Sequence, residues 1–419
     1  MTEKVDELLA LFHQSTAPRW LTLGVFLMGA LAVVLPSGYS IGALLLLVLS
    51  VSWVRVRDFP HLGSAESWVV SVMVAYSLVW MVEAMLRGRG IDALDQPSRL
   101  LFASLCLVVF TKYRLDWGVV WVGIALGSIG GCIVALWQTG LEGAPRASGF
   151  VGPEHLGNLG ALFFGFSVLG GLWFLTIERR YAHALLSAIG GLAALVMVLL
   201  SGSRSSWISL LPLLVLAGFL LVRLGQKRLL GLLSLVMLTL TVIAVVIPQS
   251  GVVQRITETA EDLETYSEGT SSGSVGQRFQ IWSGATQLFQ QRPLFGWGER
   301  GYRSEMASMA DRDVIAGEIA EFNHAHNDWL NVLAKKGIFG AIWLFAVYAV
   351  PLAFFTKSLL RSVDRRICIL ATAGAMLVIN FVTHGMAHNA LGSNNGVMTY
   401  AFWLAAITGG LVERQRQHA

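Results

Sequence analysis

The sequence predicts an all-α protein that crosses a membrane many times. Only 13% of its 419 residues are charged and 55% are hydrophobic, whereas soluble domains carry roughly 25% charged residues. The hydrophobic residues fall into blocks of about 20, the length that a helix needs to cross roughly 30 Å of hydrocarbon. Because lipid offers no hydrogen bonds to the backbone, we expect these blocks to be helices rather than strands.

Twelve such blocks are predicted to be spans. Residues 1–248 hold nine spans with short loops, residues 249–337 form one large loop, and residues 338–419 hold three C-terminal spans. The predicted spans are 20–35, 40–54, 67–86, 100–110, 117–137, 155–177, 182–200, 206–222, 229–248, 338–356, 367–382 and 395–412.

Basic residues beside the spans predict the orientation. With the N-terminus inside, 17 of the 30 lysines and arginines lie on one side, five lie in short loops on the other side, and eight lie in the large loop. Both termini are therefore expected on the cytoplasmic side and the large loop on the outside, which is the periplasm if the host is Gram-negative.

The large loop is expected to contain two amphipathic helices. Residues 249–274 are acidic and rich in Ser, Gly and Thr, which is typical of a mobile link. Residues 326–336 follow Asn323, a candidate N-cap, and end at Gly337. Residues 275–291 place an apolar face at steps of three and four that suits a membrane surface, made of Val275, Phe279, Trp282, Ala285 and Phe289.

Three isolated arginines on the external side are candidate ligands for an anionic substrate. They are Arg204 between two long spans, Arg278 on the first amphipathic segment, and Arg146 in a loop of small residues. Guanidinium offers two parallel hydrogen bonds to phosphate oxygens, which suits a diphosphate. The alternative for each is contact with lipid headgroups, the ordinary role of arginine at the end of a span.

Two histidines in the large loop 249–337, His324 and His326, are candidate catalytic residues. Histidine can act as a general base near neutral pH. A metal site with His384 and His388 is the alternative, but such sites usually recruit carboxylates or cysteines as well, and no HExxH pattern occurs. We therefore expect neither a metal nor another cofactor.

Four motifs together resemble the O-antigen ligase and polymerase superfamily. His326-Asn327, nine residues and then Gly337-Ile-Phe-Gly340 fit its pattern H-N-x9-G-x-x-G. The segment Ser201-Gly-Ser-Arg204 followed by Trp207, and the segment from Gln277-Arg278 to Gly296, resemble its two arginine motifs. The stretch from Arg146 to Asn158 is similar to a further loop motif.

This resemblance implies a GT-C-like membrane enzyme and a metal-independent, inverting glycosyl transfer. The donor would be undecaprenyl diphosphate-linked O-antigen, and the acceptor a sugar hydroxyl of lipid A-core. His326 would be the base, Arg204 and Arg278 would hold the diphosphate, and Arg146, Asn327 and His324 would be substrate-binding or orienting residues.

Two relatives within the same superfamily remain open, an O-antigen polymerase and a protein O-oligosaccharyltransferase. Both use the same donor, although the His-Asn spacing favours a ligase. The rival from another class is a lipid or solute transporter, which often has charged residues in mid-membrane. Glu83, near the outer end of the third span, is the residue that comes nearest to that pattern.

Overall fold

The computed structural model describes residues 2–54, 62–246, 257, 261 and 273–417. The predicted link 249–274 lies almost entirely outside these residues. The α-helices of the described ranges are α1 (Thr2–Ala30), α2 (Gly38–Val54), α3 (Ser64–Leu86), α4 (Asp95–Phe110), α5 (Trp117–Gly140), α6 (Pro153–Trp173), α7 (Tyr181–Ser201), α8 (Arg204–Arg223), α9 (Lys227–Val246), α10 (Ser274–Gln291), α11 (Gly298–Asp311), α12 (Asp328–Arg361), α13 (Arg365–Gly385) and α14 (Asn394–Gln417).

The helical class and the membrane prediction are confirmed. Within the described ranges no strand occurs, and nine helices are long and apolar enough to cross a membrane: α3 to α8 and α12 to α14. The other three predicted spans overlap α1, α2 and α9, although span 20–35 continues past the end of α1 at Ala30. That these three cross the membrane stays a prediction.

The chain packs as two compact units. Unit 1 comprises Met1–Leu224, Ala349–Phe381 and Asn394–Ala419, and unit 2 comprises Gly225–Tyr348 and Val382–Ser393. These units follow packing, whereas the predicted boundaries at 248 and 337 follow the membrane and stay a prediction.

Unit 1 is built around helices that are buried along most of their length. Helix α14 is buried from Asn395 to Arg414 except at Met398, which is half-buried. Aromatic rings form a chain through the core, with ring centroids 6.1 Å apart for Trp121 and Phe166 and 5.3 Å apart for Phe166 and Trp403. This packing explains why the α6 and α14 segments are mostly apolar around their whole circumference.

Small residues let the unit 1 helices approach closely. A Cβ on Gly127 of α5 would lie 2.0 Å from the carbonyl oxygen of Gly29 on α1, and one on Gly409 of α14 would lie 2.3 Å from the Cβ of Phe110 on α4. Close backbone approach through glycine is a usual way for helices to associate in lipid, where hydrophobic burial supplies little driving force.

Unit 2 has a core of its own, formed by α10, α11, the start of α12 and the short 3-10 helix Gly317–Glu321. Helix α10 packs through Ile281, Ala285 and Leu288. Of the predicted apolar face only Ala285 is fully buried, so the buried face is rotated from the predicted one, and the proposed contact of α10 with a membrane surface stays a prediction. The buried residues of this core are Ile281, Ala285, Leu288, Tyr302, Met306, Met309, Ile315, Ile319, Ala325 and Ala334.

Candidate active site

The His-Asn motif lies at the start of α12, where the chain leaves the unit 2 core. Asn327 is the N-cap of this helix, because its Oδ1 accepts hydrogen bonds from the backbone N–H groups of Trp329 (3.0 Å) and Leu330 (3.1 Å). The prediction of Asn323 as the cap is therefore wrong. Asn327 also donates from Nδ2 to the carbonyl of Met386 at 2.9 Å, which ties the helix start to the 382–393 segment of unit 2.

The spacing of the motif corresponds to a short helix between its cap and a break. Gly337 has φ 65° and ψ −163°, so the helix that starts at Asp328 is interrupted there before it continues as the long apolar part of α12. The nine residues between Asn327 and Gly337 make about two and a half helical turns. The predicted end at Gly337 is confirmed, and the spacing fixes where this short helix begins and ends.

The segment before the cap holds His324 and His326 against each other. The ring centroids are 4.2 Å apart, and the backbone N–H of His326 donates to Nδ1 of His324 at 3.3 Å. His326 has φ 48°, in the left-handed region that non-glycine residues rarely adopt. Such strain occurs at sites whose surroundings hold the residue in place.

Two further histidines lie close to this pair. The ring of His388 has its centroid 6.4 Å from that of His326, and it stacks on buried His384 at 4.6 Å. Within the described part of the chain, no group of three or more His, Cys, Asp or Glu is arranged to hold a metal ion. The expectation that the reaction needs no metal stays a prediction.

The surroundings of His324 favour its neutral form. Burial lowers the pKa of His324, the positive charge of Lys335 lowers it further, and Glu299 opposes this in part. A neutral imidazole keeps Nδ1 available to accept the hydrogen bond from His326. The electrostatics therefore support the backbone conformation that presents His326.

The predicted arginine of unit 2, Arg278, is half-buried on α10. One turn further along, Trp282 donates from Nε1 to the carbonyl of Ala325 at 2.9 Å, and the N–H of Ala325 donates to the side chain of Asn331 at 3.4 Å. Helix α10 is thus hydrogen-bonded directly to the segment between the two histidines.

Sequence reasoning missed Asp328, a buried carboxyl next to the motif. Its Oδ2 accepts hydrogen bonds from the hydroxyl of Tyr348 (3.4 Å) and the N–H of Leu391 (3.5 Å). A Cβ on Gly385 would lie 2.6 Å from the same oxygen, so a larger residue there would push the Asp328 carboxyl aside. Asp328 therefore anchors the helix start to the segment that carries His388. The sequence signal for Asp328 is its place as the first residue of a helix, where an acid suits the positive end of the helix dipole.

The other two predicted arginines belong to unit 1. Arg146 donates from Nε to the carbonyl of Ser201 at 2.8 Å and pairs with Glu154 at 3.0 Å. Nearby, the N–H of Ala147 donates to the carbonyl of Leu200 at 2.8 Å. Arg146 thus joins the loop before α6 to the end of α7, a role that sequence reasoning did not include.

Arg204 is the first residue of α8 and is half-buried. It follows a tight turn at Gly202, which has φ 58°, and a group of buried serines. The hydroxyl of Ser203 lies 3.0 Å from that of Ser205 and also 3.0 Å from that of Ser206. A guanidinium at a helix N-terminus favours the binding of an anion, because both carry positive charge.

Unit 2 brings together His324, His326 and Asn327. In unit 1, Arg146 is hydrogen-bonded to Ser201, which lies just before the turn that leads to Arg204. Cooperation of the arginines with His326 stays a prediction.

Comparison with known proteins agrees with the motif analysis. A family model described as O-antigen ligase matches residues 189–345. The chain is also 24% identical over 374 residues to an uncharacterized protein of Haemophilus influenzae, and this similarity covers 88% of the chain and 92% of the relative.

Proposed function

We propose that this chain, which belongs to the O-antigen ligase superfamily, is a ligase that joins O-antigen to lipid A-core. As a multi-pass membrane protein of a glycosyltransferase-type family, it has the general activity of the O-antigen ligases and polymerases. The donor we assign is undecaprenyl diphosphate-linked O-antigen, and the acceptor is a sugar hydroxyl of lipid A-core. We place the reaction on the periplasmic side of the inner membrane, with both termini in the cytoplasm.

The observation that carries the proposal is the range of the family match. Residues 189–345 include Arg204, Arg278, His326 and Gly337, which are the positions of the motifs that imply the chemistry. The geometry of unit 2 supports it further, because His326 is held in a strained conformation beside a neutral imidazole.

The transfer proceeds as a single inverting displacement. His326 takes the proton from the acceptor hydroxyl, and the hydroxyl oxygen attacks the anomeric carbon. The bond between that carbon and the diphosphate oxygen breaks, and its electron pair stays on the diphosphate. Arg204 and Arg278 stabilise this charge, with Arg146 as a further ligand. His324 and Asn327 orient His326 through the contacts described above.

The same machinery would serve an O-antigen polymerase or a protein O-oligosaccharyltransferase, and the acceptor distinguishes them. A transporter is a weaker alternative. Glu83, the residue that came nearest to the transporter pattern, pairs with Arg87 at 2.7 Å and lies 3.9 Å from Arg89, which makes it part of an ion-pair cluster at the end of α3.

The test is transfer by the purified protein in detergent with EDTA present. Donor lipid and lipid A-core are supplied, and product is read as a shift on a lipopolysaccharide gel. We expect a ladder from the wild type and none from His326→Ala, Arg204→Ala or Arg278→Ala. A His326→Ala protein that folds and keeps full activity would exclude the base role.

Two matched variants control for the loss of a ring or a charge elsewhere. His183→Ala removes a histidine near the start of α7, on the predicted cytoplasmic side, and Arg312→Ala removes an exposed arginine at the end of α11. Both should retain the ladder. If wild-type protein transfers donor glycan only to another donor lipid or to a peptide, the ligase assignment fails in favour of the corresponding relative.

A further inference from the structure

Unit 2 contains a buried lysine, Lys335, that the proposed reaction does not use. Its residue surface is only 3% exposed. The ammonium pairs with Glu299 at 2.7 Å, donates to the carbonyl oxygen of Asn323 at 2.7 Å, and lies 4.9 Å from the ring centroid of Tyr302. The neighbouring Lys336 has the same charge but is only half-buried.

The fold brings Glu299 to this lysine through a close backbone approach. Gly296 has φ 60°, and a Cβ there would lie 2.4 Å from the carbonyl carbon of Lys335. The N–H of Trp297 donates to the carbonyl of Ala334 at 3.0 Å. The first turn of α11 therefore begins directly beside Lys335. An acid in that turn, Glu299, supplies the negative charge that both the helix N-terminus and the lysine require.

Burying an ammonium is costly unless its charge and its donors are satisfied. Lys335 meets this requirement with a carboxylate, a carbonyl and an aromatic face. Replacement of such ion pairs by apolar residues is often neutral or stabilising, so stability alone is a weak reason to bury one. What this pair adds is a fixed hydrogen bond to Asn323, the residue immediately before His324.

We propose that Lys335, held by Glu299, is a positioning residue that fixes the segment 323–326 so that His326 is presented for transfer. The tether holds the chain at Asn323 on one side of the histidine pair, and the Asn327 cap holds it on the other side. Between these two points the backbone of His326 is kept at its positive φ. The proposal rests on the proposed function for its effect on activity.

A charge effect accompanies the tether. The charged and titratable groups that face His324 are Lys335 and Glu299, the ring of His326, and beyond it His388. Protonation of His324 at Nδ1 would remove the acceptor for the His326 N–H. The acid side of the activity profile should therefore contain the protonation of His324 together with that of the base, His326.

The experiment compares Lys335→Met and Glu299→Gln in the transfer assay across pH. Lys335→Met loses both tether and charge, and we expect a fall in kcat of roughly 10- to 100-fold, with little change in donor KM, as for other misplaced catalytic groups. Because Lys335 lowers the pKa of His324 and Glu299 raises it, the acid limb should move to higher pH in Lys335→Met and to lower pH in Glu299→Gln. A purely structural ion pair predicts no shift, or shifts of the same sign, and either result would overturn the proposal.

Two variants guard against a trivial loss of folding. Lys335→Arg keeps the charge and should recover part of the rate. The double variant Glu299→Gln/Lys335→Met contains no unpaired buried charge, so it should fold better than Lys335→Met alone while still lacking the tether. It should therefore remain slow, and a double variant with wild-type kcat would also overturn the proposal.

Hydrogen exchange tests the tether without any substrate. The amides of Ala325 and His326 should exchange faster in Lys335→Met than in the wild type. In the matched control Lys336→Met, their exchange rates should be unchanged. If wild-type protein shows no transfer, the proposed function fails but this readout still applies. Equal exchange in the two lysine variants would overturn the positioning role even if the transfer reaction is correct.

Discussion

The break at Gly337 gives the most direct test of how the motif is built. An alanine there would have to adopt φ 65° and ψ −163°, a region open essentially only to glycine. Its Cβ would lie 2.4 Å from both the carbonyl carbon and the oxygen of Leu294. Because these are backbone atoms, they cannot avoid the methyl group by a change of rotamer.

The free-energy cost of Gly337→Ala can be estimated from the backbone strain and from the hydrogen bonds that would be lost. Backbone strain of this kind costs about 1–3 kcal/mol. The loop must also move away from the methyl group, which breaks the hydrogen bonds from Ile338 N–H to the carbonyl of Pro293 (2.8 Å) and from Phe339 N–H to the carbonyl of Leu294 (3.2 Å), each worth about 0.5–1.5 kcal/mol. A combined loss of about 3 kcal/mol corresponds to roughly 100-fold faster opening of this contact.

Hydrogen exchange of the Ile338 and Phe339 amides in detergent measures this directly. Gly317→Ala is the control, because a Cβ there meets nothing within 4 Å and the residue has no positive φ. We expect Gly337→Ala to raise exchange at the two amides by roughly 100-fold and Gly317→Ala to leave it unchanged. An increase below about tenfold in Gly337→Ala would refute the argument that only glycine fits.

Two further predictions concern the cap and the histidine beside it. Asn327→Ala should destabilise the helix start by about 1–2 kcal/mol, whereas Asn327→Asp should lose less because a carboxylate still caps the helix, although it cannot donate to Met386. Exchange of the first amides of α12 separates the two variants, and equal effects would contradict the cap assignment. For His324, a lowered pKa means that the unfolded chain binds its proton more readily, so stability should fall as pH drops through about 6.5. Denaturation midpoints at about pH 7.5 and pH 5.5 should differ more in the wild type than in His324→Gln, and identical differences would refute this.

Much of the candidate site could be predicted from sequence because its signals are local. Hydropathy and length predict the spans, and the pattern from His326 through Asn327 to Gly337 predicts the candidate site and the helix break at its end. Helix α11 also has a local sequence pattern, although we did not predict this helix from it. Tyr302, Met306 and Met309 are spaced by four and three residues, as on one face of a helix, and all three are buried.

Other features follow from contacts between residues far apart in the chain. Asn323 and Asn327 are both plausible caps by sequence, and only the path of the chain into α12 selects Asn327. By sequence Arg146 is a candidate ligand for an anionic substrate or a lipid headgroup, but in the structure it donates to the carbonyl of Ser201, 55 residues away in the sequence. These hydrogen-bond partners cannot be predicted from a pattern of residue types, because they are distant in the sequence.

The sequence by itself determined that this protein is a helical membrane protein and predicted which short motif marks its candidate site, because both depend on residues that are neighbours along the chain. Only the tertiary structure decided that Lys335 is buried and Lys336 is half-exposed, since α11 packs on one side of that helix end. Two adjacent lysines on a helix point roughly 100° apart. The same charge therefore becomes a tether for the histidine segment at one position and a partly solvated group at the next.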